Sequence, residues 1–130
     1  IRELLPVETS LPAPGQGALG IEVRSDRKDL LELLAFINDE DIRCATGAER
    51  AVSRALGGSC QVPLAAHGIV ENGELWLRAH VGDHRDGRKI SAQARGKAAD
   101  FEAVAAQVVA DLKAQGAEAL LAEVLAQTSK

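Results

Sequence analysis

Apolar residues recur at every second position through much of the stretch from 62 to 94, and this period of two confines that part of the chain to β-structure. Val62, Leu64 and Ala66 alternate, and Ile69 and Val70 extend the apolar character. Leu75, Leu77, Ala79 and Val81 share one face of a second strand, with Trp76, Arg78 and His80 on the other. Between these two strands Asn72-Gly73 is a two-residue hairpin signal. Asp83 to Gly87 make a second turn, and Ile90, Ala92 and Ala94 form a third strand. The result is an antiparallel sheet whose apolar face needs cover.

Helical stripes on both sides of the sheet supply it. Ser25 or Asp26 caps a helix carrying Leu30, Leu33, Leu34 and Ile37 on one face. Asn38 and Asp39 break it and start a second helix, in which Ile42, Ala45, Ala48, Val52, Ala55 and Leu56 recur at helical spacing. The acidic residues 39–41 sit at its positive end, and Gly57-Gly58 stops it. After the strands, a helix from Asp100 aligns Phe101, Val104, Ala105, Val108, Val109 and Leu112. Gly116 ends that helix, and Ala117 to Ala126 form a last one. Helix, three antiparallel strands and helix make a small α+β domain.

The first 22 residues follow different rules. Pro6, Pro12 and Pro14 exclude a helix, and Gly15-Gln16-Gly17 permits a turn closed to other residues. Leu19, Ile21 and Val23 then alternate with Gly20, Glu22 and Arg24, which predicts a short strand. This segment reads as a crossing or hinge. Ile1 to Leu5 read as the last turn of a helix halted before Pro6, and the sequence reads as opening within a longer protein.

Composition narrows the function. With only Phe36, Trp76 and Phe101 as aromatics, the core is built from Leu, Val, Ile and much Ala. Its limited apolar area makes support from a neighbouring domain an expectation. A formal charge of −4 offers no general field for nucleic acid or an anionic membrane. The apolar runs fall well short of the roughly 20 residues that span a bilayer. Cys44 and Cys60 form neither a metal-ligand pattern nor a disulfide framework, and no secretory signal is visible, so a reducing, cytoplasmic setting is expected. No metal site is expected.

Cys60 is the position with most chemical interest. It lies between a glycine pair and Pro63, where glycines let a bulky group approach the backbone. An ordinary, inert loop cysteine fits the same surroundings, and the negative end of the preceding helix does not favour a thiolate. The turn at Gly15, Gln16 and Gly17 exposes backbone groups and an amide, either as a ligand contact or purely as a crossing turn. Arg50 and Arg54 match carboxylates in geometry, yet with Glu49 they read more simply as a solvated or domain-packing face. Cys44 reads as a buried helix residue. His67, His80 and His84 read as surface residues, and Trp76 as a group facing away from the core toward another domain.

The run Glu49-Arg50-Ala51-Val52-Ser53-Arg54-Ala55-Leu56-Gly57-Gly58-Ser59-Cys60-Gln61-Val62-Pro63-Leu64-Ala65 resembles the cofactor-attachment signature of porphobilinogen deaminases, also called hydroxymethylbilane synthases. Leu11 to Glu22, with Pro14-Gly15-Gln16-Gly17 at its centre, resembles the hinge segment of the same family. The order of elements is similar to the family's third domain. Together these resemblances extend over nearly the whole chain.

The resemblance implies a fold and a chemistry. Residues 1–38 would end the N-terminal α/β domains, and residues 39–130 would form the C-terminal attachment domain. The family joins four porphobilinogen units head to tail, with loss of ammonia, into linear hydroxymethylbilane in heme biosynthesis. The product grows on a dipyrromethane cofactor held by a thioether to the cysteine matching Cys60, while Gly15, Gln16 and Gly17 match the loop that contacts the pyrrole chain. The family's catalytic aspartate and its basic carboxylate-binding cleft lie in the N-terminal domains, so no catalytic residue is expected within this chain. By itself it is then inactive, and its partners are porphobilinogen, the growing pyrrole chain and the N-terminal domains of the same, monomeric protein. A non-enzymatic α+β protein-interaction module remains the alternative that architecture by itself allows.

Overall fold

A computed structural model describes residues 6–7, 10–57, 63–82 and 87–128. Helix α1 spans Lys28–Leu34 and runs into a 3-10 turn at Ala35–Ile37; α2 spans Glu40–Ala55. Strands β1 (Leu64–Glu71), β2 (Glu74–Gly82) and β3 (Lys89–Lys97) follow, and then α3 (Phe101–Ala114) and α4 (Ala117–Thr128). The sheet order is β1-β2-β3, antiparallel throughout. The architecture is the expected α+β sheet covered by helices.

The hairpin forms where the sequence places it. Asn72 and Gly73 take φ of 52° and 76°, the left-handed pair that matches the twist of the strands they join. Register then pairs Leu77 with Gly68 on one side and Ala94 on the other. Leu75, Leu77, Ala79 and Val81 all point inward and are fully buried. Helices α2 and α3 lie across that face, α2 over β1 and α3 over β2 and β3. Val52, Val108 and Leu112 complete the interior, and α4 closes it with Ala117, Leu120 and Leu121.

Small side chains decide how closely these layers approach. A Cβ added at Gly68 would stand 3.1 Å from the Ala45 carbonyl oxygen, so α2 rests almost backbone to backbone on β1. Asp39 caps α2, its carboxylate accepting from the Ile42 N–H at 3.1 Å. Asp39→Ala is expected to destabilise the chain by about 1 kcal/mol in urea unfolding, the typical value of such a cap. Stability equal to wild type would show that Asp39 does not hold the helix start.

Four expectations need correction. Leu19 to Val23 form no strand. A strand exists only through pairing, and these residues instead border a groove against α1 and α2, with Leu19 99% exposed. Neither Ser25 nor Asp26 caps α1, whose N-cap is Arg27 without a side-chain bond; the Asp26 carboxylate is taken by Arg24 at 2.6 Å. The leucine stripe of α1 covers no part of the sheet, since α1 contains no buried residue and Leu33 is 62% exposed. In α2 the inward stripe is narrower than periodicity suggests, leaving Ile42 and Ala55 at the surface. Residues 1–5, Gly58, Val62 and most of the Asp83–Gly87 turn lie outside the described residues.

Candidate functional site

The two motifs, distant in sequence, meet at the free edge of the sheet. Because β1 is an edge strand, every second N–H points away from β2 and needs a partner elsewhere. The Ala66 N–H donates to the Pro12 carbonyl at 2.9 Å. The Gly68 N–H donates to Glu49 Oε2, also at 2.9 Å. The other oxygen of the same carboxylate, Oε1, accepts from the Gly15 N–H at 2.7 Å. Glu49 thus stands between the Gly15-Gln16-Gly17 turn and β1, and it is the charged side chain found buried among the described residues, at 5% exposure.

Of the solvated or domain-packing face expected for Glu49, Arg50 and Arg54, the structure leaves Arg50 and Arg54 exposed but buries Glu49, which is therefore not solvated. The periodicity held the signal: Glu49 follows Ala45 by four and precedes Val52 by three, which puts it on the inward stripe. Its reach to the edge strand depends on the close approach of α2 to Gly68. A buried carboxylate is tolerated here because two N–H groups solvate it with charge-assisted hydrogen bonds.

The turn is internally closed. Gln16 N–H donates to the Ala13 carbonyl at 3.0 Å and Ala18 N–H to the Gly15 carbonyl at 3.1 Å. Gly15 and Gly17 take φ of 73° and 83°, and a Cβ at either would meet nothing within 4 Å. The glycines are therefore required by backbone conformation, while the surrounding space is open. The Gln16 side chain is also committed in part, since its Oε1 accepts from the Ala13 N–H at 2.9 Å. Gln16 is exposed, and with Oε1 taken its NH₂ group is left as a donor, suited to carboxylate or carbonyl oxygens.

Cys60 lies outside the described residues, as does His84. The chain enters that segment from Gly57, at φ 111° beyond the end of α2, and leaves it at Pro63, whose carbonyl accepts from the Gly82 N–H at 3.1 Å. The entry to β1 and the Pro12 strand-edge contact are therefore neighbours in space. Arg50 borders the same groove as Gly15, and both Arg50 and Arg54 are exposed. The open glycine turn, the outward Gln16 donor and exposed Arg50 form a surface whose donor chemistry fits a ligand bearing carboxylates.

The remaining candidates take other roles. Cys44 is buried at 2% exposure, and burial pushes its thiol up, so it is a poor nucleophile. His80 is half-buried beside Ser91, its Nδ1 3.0 Å from Oγ, and burial lowers its pKa first, with Lys89 adding to the effect. Trp76 faces outward as expected, held between the Arg78 and Arg95 guanidinium groups at 4.1 and 4.6 Å and donating to Gln93 Oε1. Among the described residues no three His, Cys, Asp or Glu side chains gather as a metal would need. Nor is any described helix long and apolar enough to cross a membrane.

Comparison with known proteins gives one consistent answer. Residues 42–114 match the family described as porphobilinogen deaminase, C-terminal domain. The chain is 50% identical over 129 residues to the porphobilinogen deaminase of Burkholderia vietnamiensis, covering 97% of this chain and 39% of that protein. It is 48% identical over 125 residues to the porphobilinogen deaminase of Bordetella parapertussis, covering 96% and 40%. With the porphobilinogen deaminase of Thiobacillus denitrificans the identity is 48% over 121 residues, 93% of this chain and 40% of that protein. The chain therefore spans about 40% of the length of these relatives.

Proposed function

This chain belongs to the porphobilinogen deaminase family, and we propose that it is the cofactor-carrying part of a transferase that joins four porphobilinogen units, with loss of ammonia, into hydroxymethylbilane. Cys60 is the covalent anchor. Its sulfur would hold a dipyrromethane through a thioether, made by adding the S–H across an electrophilic azafulvene so that the carbon bonds to sulfur and the proton passes to the ring nitrogen. A thioether persists through turnover where an ester or an ion pair would not. When bound, the dipyrromethane supplies the pyrrole carbon onto which the porphobilinogen units are joined. The Gln16 NH₂ and the Arg50 guanidinium meet the acetate and propionate groups of the pyrroles, and the open backbone at Gly15 and Gly17 lets the rings pass close to the turn.

The observation that carries this reading is the meeting of the two motifs on one edge strand, through Pro12 to Ala66 and through Glu49 to Gly15 and Gly68. A turn with outward donors is held beside the entry to β1, and Cys60 precedes Leu64, the first residue of that strand, by four positions in the sequence. Residues 39–130 form the attachment domain, and residues 1–38 belong with the N-terminal domains of the same protein. Two facts support that division. The buried hydrophobic residues run from Cys44 to Leu121, while Leu19, Ile21, Leu31, Leu33, Phe36 and Ile37 stand exposed. An apolar surface of this kind calls for cover, and the rest of the protein supplies it. The protein acts as a cytoplasmic monomer.

The chain holds the anchor without the groups that release ammonia, so alone it is inactive. Incubation with porphobilinogen tests this directly. The full-length deaminase carrying this sequence is expected to release hydroxymethylbilane, and the 130-residue chain none. A full-length protein that consumes no porphobilinogen would sink the function. Bilane from the isolated chain would sink the assignment of catalysis to the other domains.

A further inference from the structure

We propose that Glu49 is a positioning residue: its buried carboxylate clamps the Gly15-Gln16-Gly17 turn to the edge of β1 and so fixes where that turn meets the pyrrole chain. The inference rests on the reading of the turn as a pyrrole contact, and adds to it the residue that sets the turn's place.

The clamp needs a carboxylate. Both groups it joins are backbone N–H donors, Gly15 to Oε1 at 2.7 Å and Gly68 to Oε2 at 2.9 Å. Only a side chain with two acceptor oxygens satisfies both at once. Glutamine has the same length and nearly the same shape, but one of its two ends is itself a donor. In Glu49→Gln either the part-buried Gly15 N–H or the buried Gly68 N–H therefore faces an NH₂ group and loses its acceptor. Gly68 is held in addition by strand pairing on its other side, whereas Gly15 lies in a turn. The turn is the end that gives way.

The turn is built to move as a unit if released. Its own bonds, Ala13 to Gln16 Oε1, Gln16 to the Ala13 carbonyl and Ala18 to the Gly15 carbonyl, close it on itself. They hold its shape without placing it on the domain. Placement comes from Pro12, bonded to Ala66, and from Gly15, bonded to Glu49. Without the second of these the turn can pivot about Pro12, carrying the Gln16 donor with it. Glu49 touches neither the pyrroles nor the reacting atoms in this account; it acts through the turn.

The test compares the full-length deaminase with its Glu49→Gln variant by residue-resolved amide exchange and steady-state kinetics on porphobilinogen, with intact mass recorded for both. The expected result is Gly15 exchange faster by roughly tenfold or more, the effect of losing a charge-assisted bond. KM for porphobilinogen is expected to rise by about tenfold with kcat changed by less than about threefold, as for a contact made equally in ground and transition states. A merely structural glutamate would lower the amount of folded enzyme and leave KM alone. Unchanged Gly15 exchange overturns the proposal, and so does faster exchange with KM unaltered. Failure of the anchor reading shows separately, as a missing adduct on both proteins, and exchange at Gly15 then decides the clamp by itself. If Glu49→Gln does not fold, wild-type exchange decides: protection of Gly15 comparable to Gly68 supports the clamp, and exchange at the free-peptide rate overturns it.

Discussion

Cys60→Ser in the full-length deaminase is expected to lower hydroxymethylbilane formation by at least about 10³-fold, the scale on which loss of a group acting through a covalent bond is felt. The serine oxygen is a far weaker nucleophile than a thiol sulfur, so the cofactor is not attached. The other cysteine offers no substitute. Cys44 is 2% exposed on the inward face of α2, with its thiol pushed up by burial. The variant should therefore be catalytically dead and lack the cofactor's mass, while its α+β core is untouched. Steady-state assay and circular dichroism on the same sample check both halves. Activity within tenfold of wild type would mean that the cofactor is held elsewhere.

The second large effect is on stability. Leu77→Ala is expected to cost about 2–5 kcal/mol, the range for truncating a fully buried leucine. Leu77 is 0% exposed at the centre of β2, paired to Gly68, which has no side chain, and to Ala94, which has only a methyl group, so its neighbours have little to collapse into the space. For a chain of this size each kcal/mol lowers the melting temperature by several degrees. Leu33→Ala in α1, where the side chain is 62% exposed, is expected to stay within about 0.5 kcal/mol. Urea unfolding of both variants measures the contrast. Equal losses would show that the α1 leucines belong to the same core as the sheet.

The strands were legible because each residue carried its own signal. Period-two alternation from Leu75 to Val81 and the Asn72-Gly73 pair define a face, a turn and a register without help from distant sequence. The same rule misled at Leu19 to Val23. Alternation shows that residues suit a sheet, but it cannot supply the neighbouring strand, and among the described residues none lies beside them. In α1 the spacing of Leu30, Leu33 and Leu34 reported an apolar face correctly, without saying what covers it. Glu49 was hidden by its charge, although its place between Ala45 and Val52 on the helix put it inward.

The site was legible in part. Cys60 and the Gly15-Gln16-Gly17 turn stood out as motifs, and their chemistry came from resemblance, since glycines around a cysteine fit an inert loop equally well. The place of the turn against the edge of β1 could not be read from either motif. It depends on a carbonyl at Pro12, an outward N–H at Ala66, and a glutamate whose reach requires the missing side chain at Gly68. Such contacts leave no periodic mark in a sequence, because each joins a backbone group to a residue far along the chain. The commitment of Gln16 Oε1 to Ala13 belongs to the same class, and it decides that the group offered outward is a donor.

The central claim is that this chain carries the cofactor on Cys60, and peptide mass mapping of the purified full-length deaminase tests it most directly. Trypsin separates the two cysteines, leaving Cys44 on residues 44–50 and Cys60 on residues 55–78. The account predicts a dipyrromethane-sized addition on the Cys60 peptide and an unmodified Cys44 peptide. A fully active enzyme whose Cys60 peptide has its bare mass would contradict it.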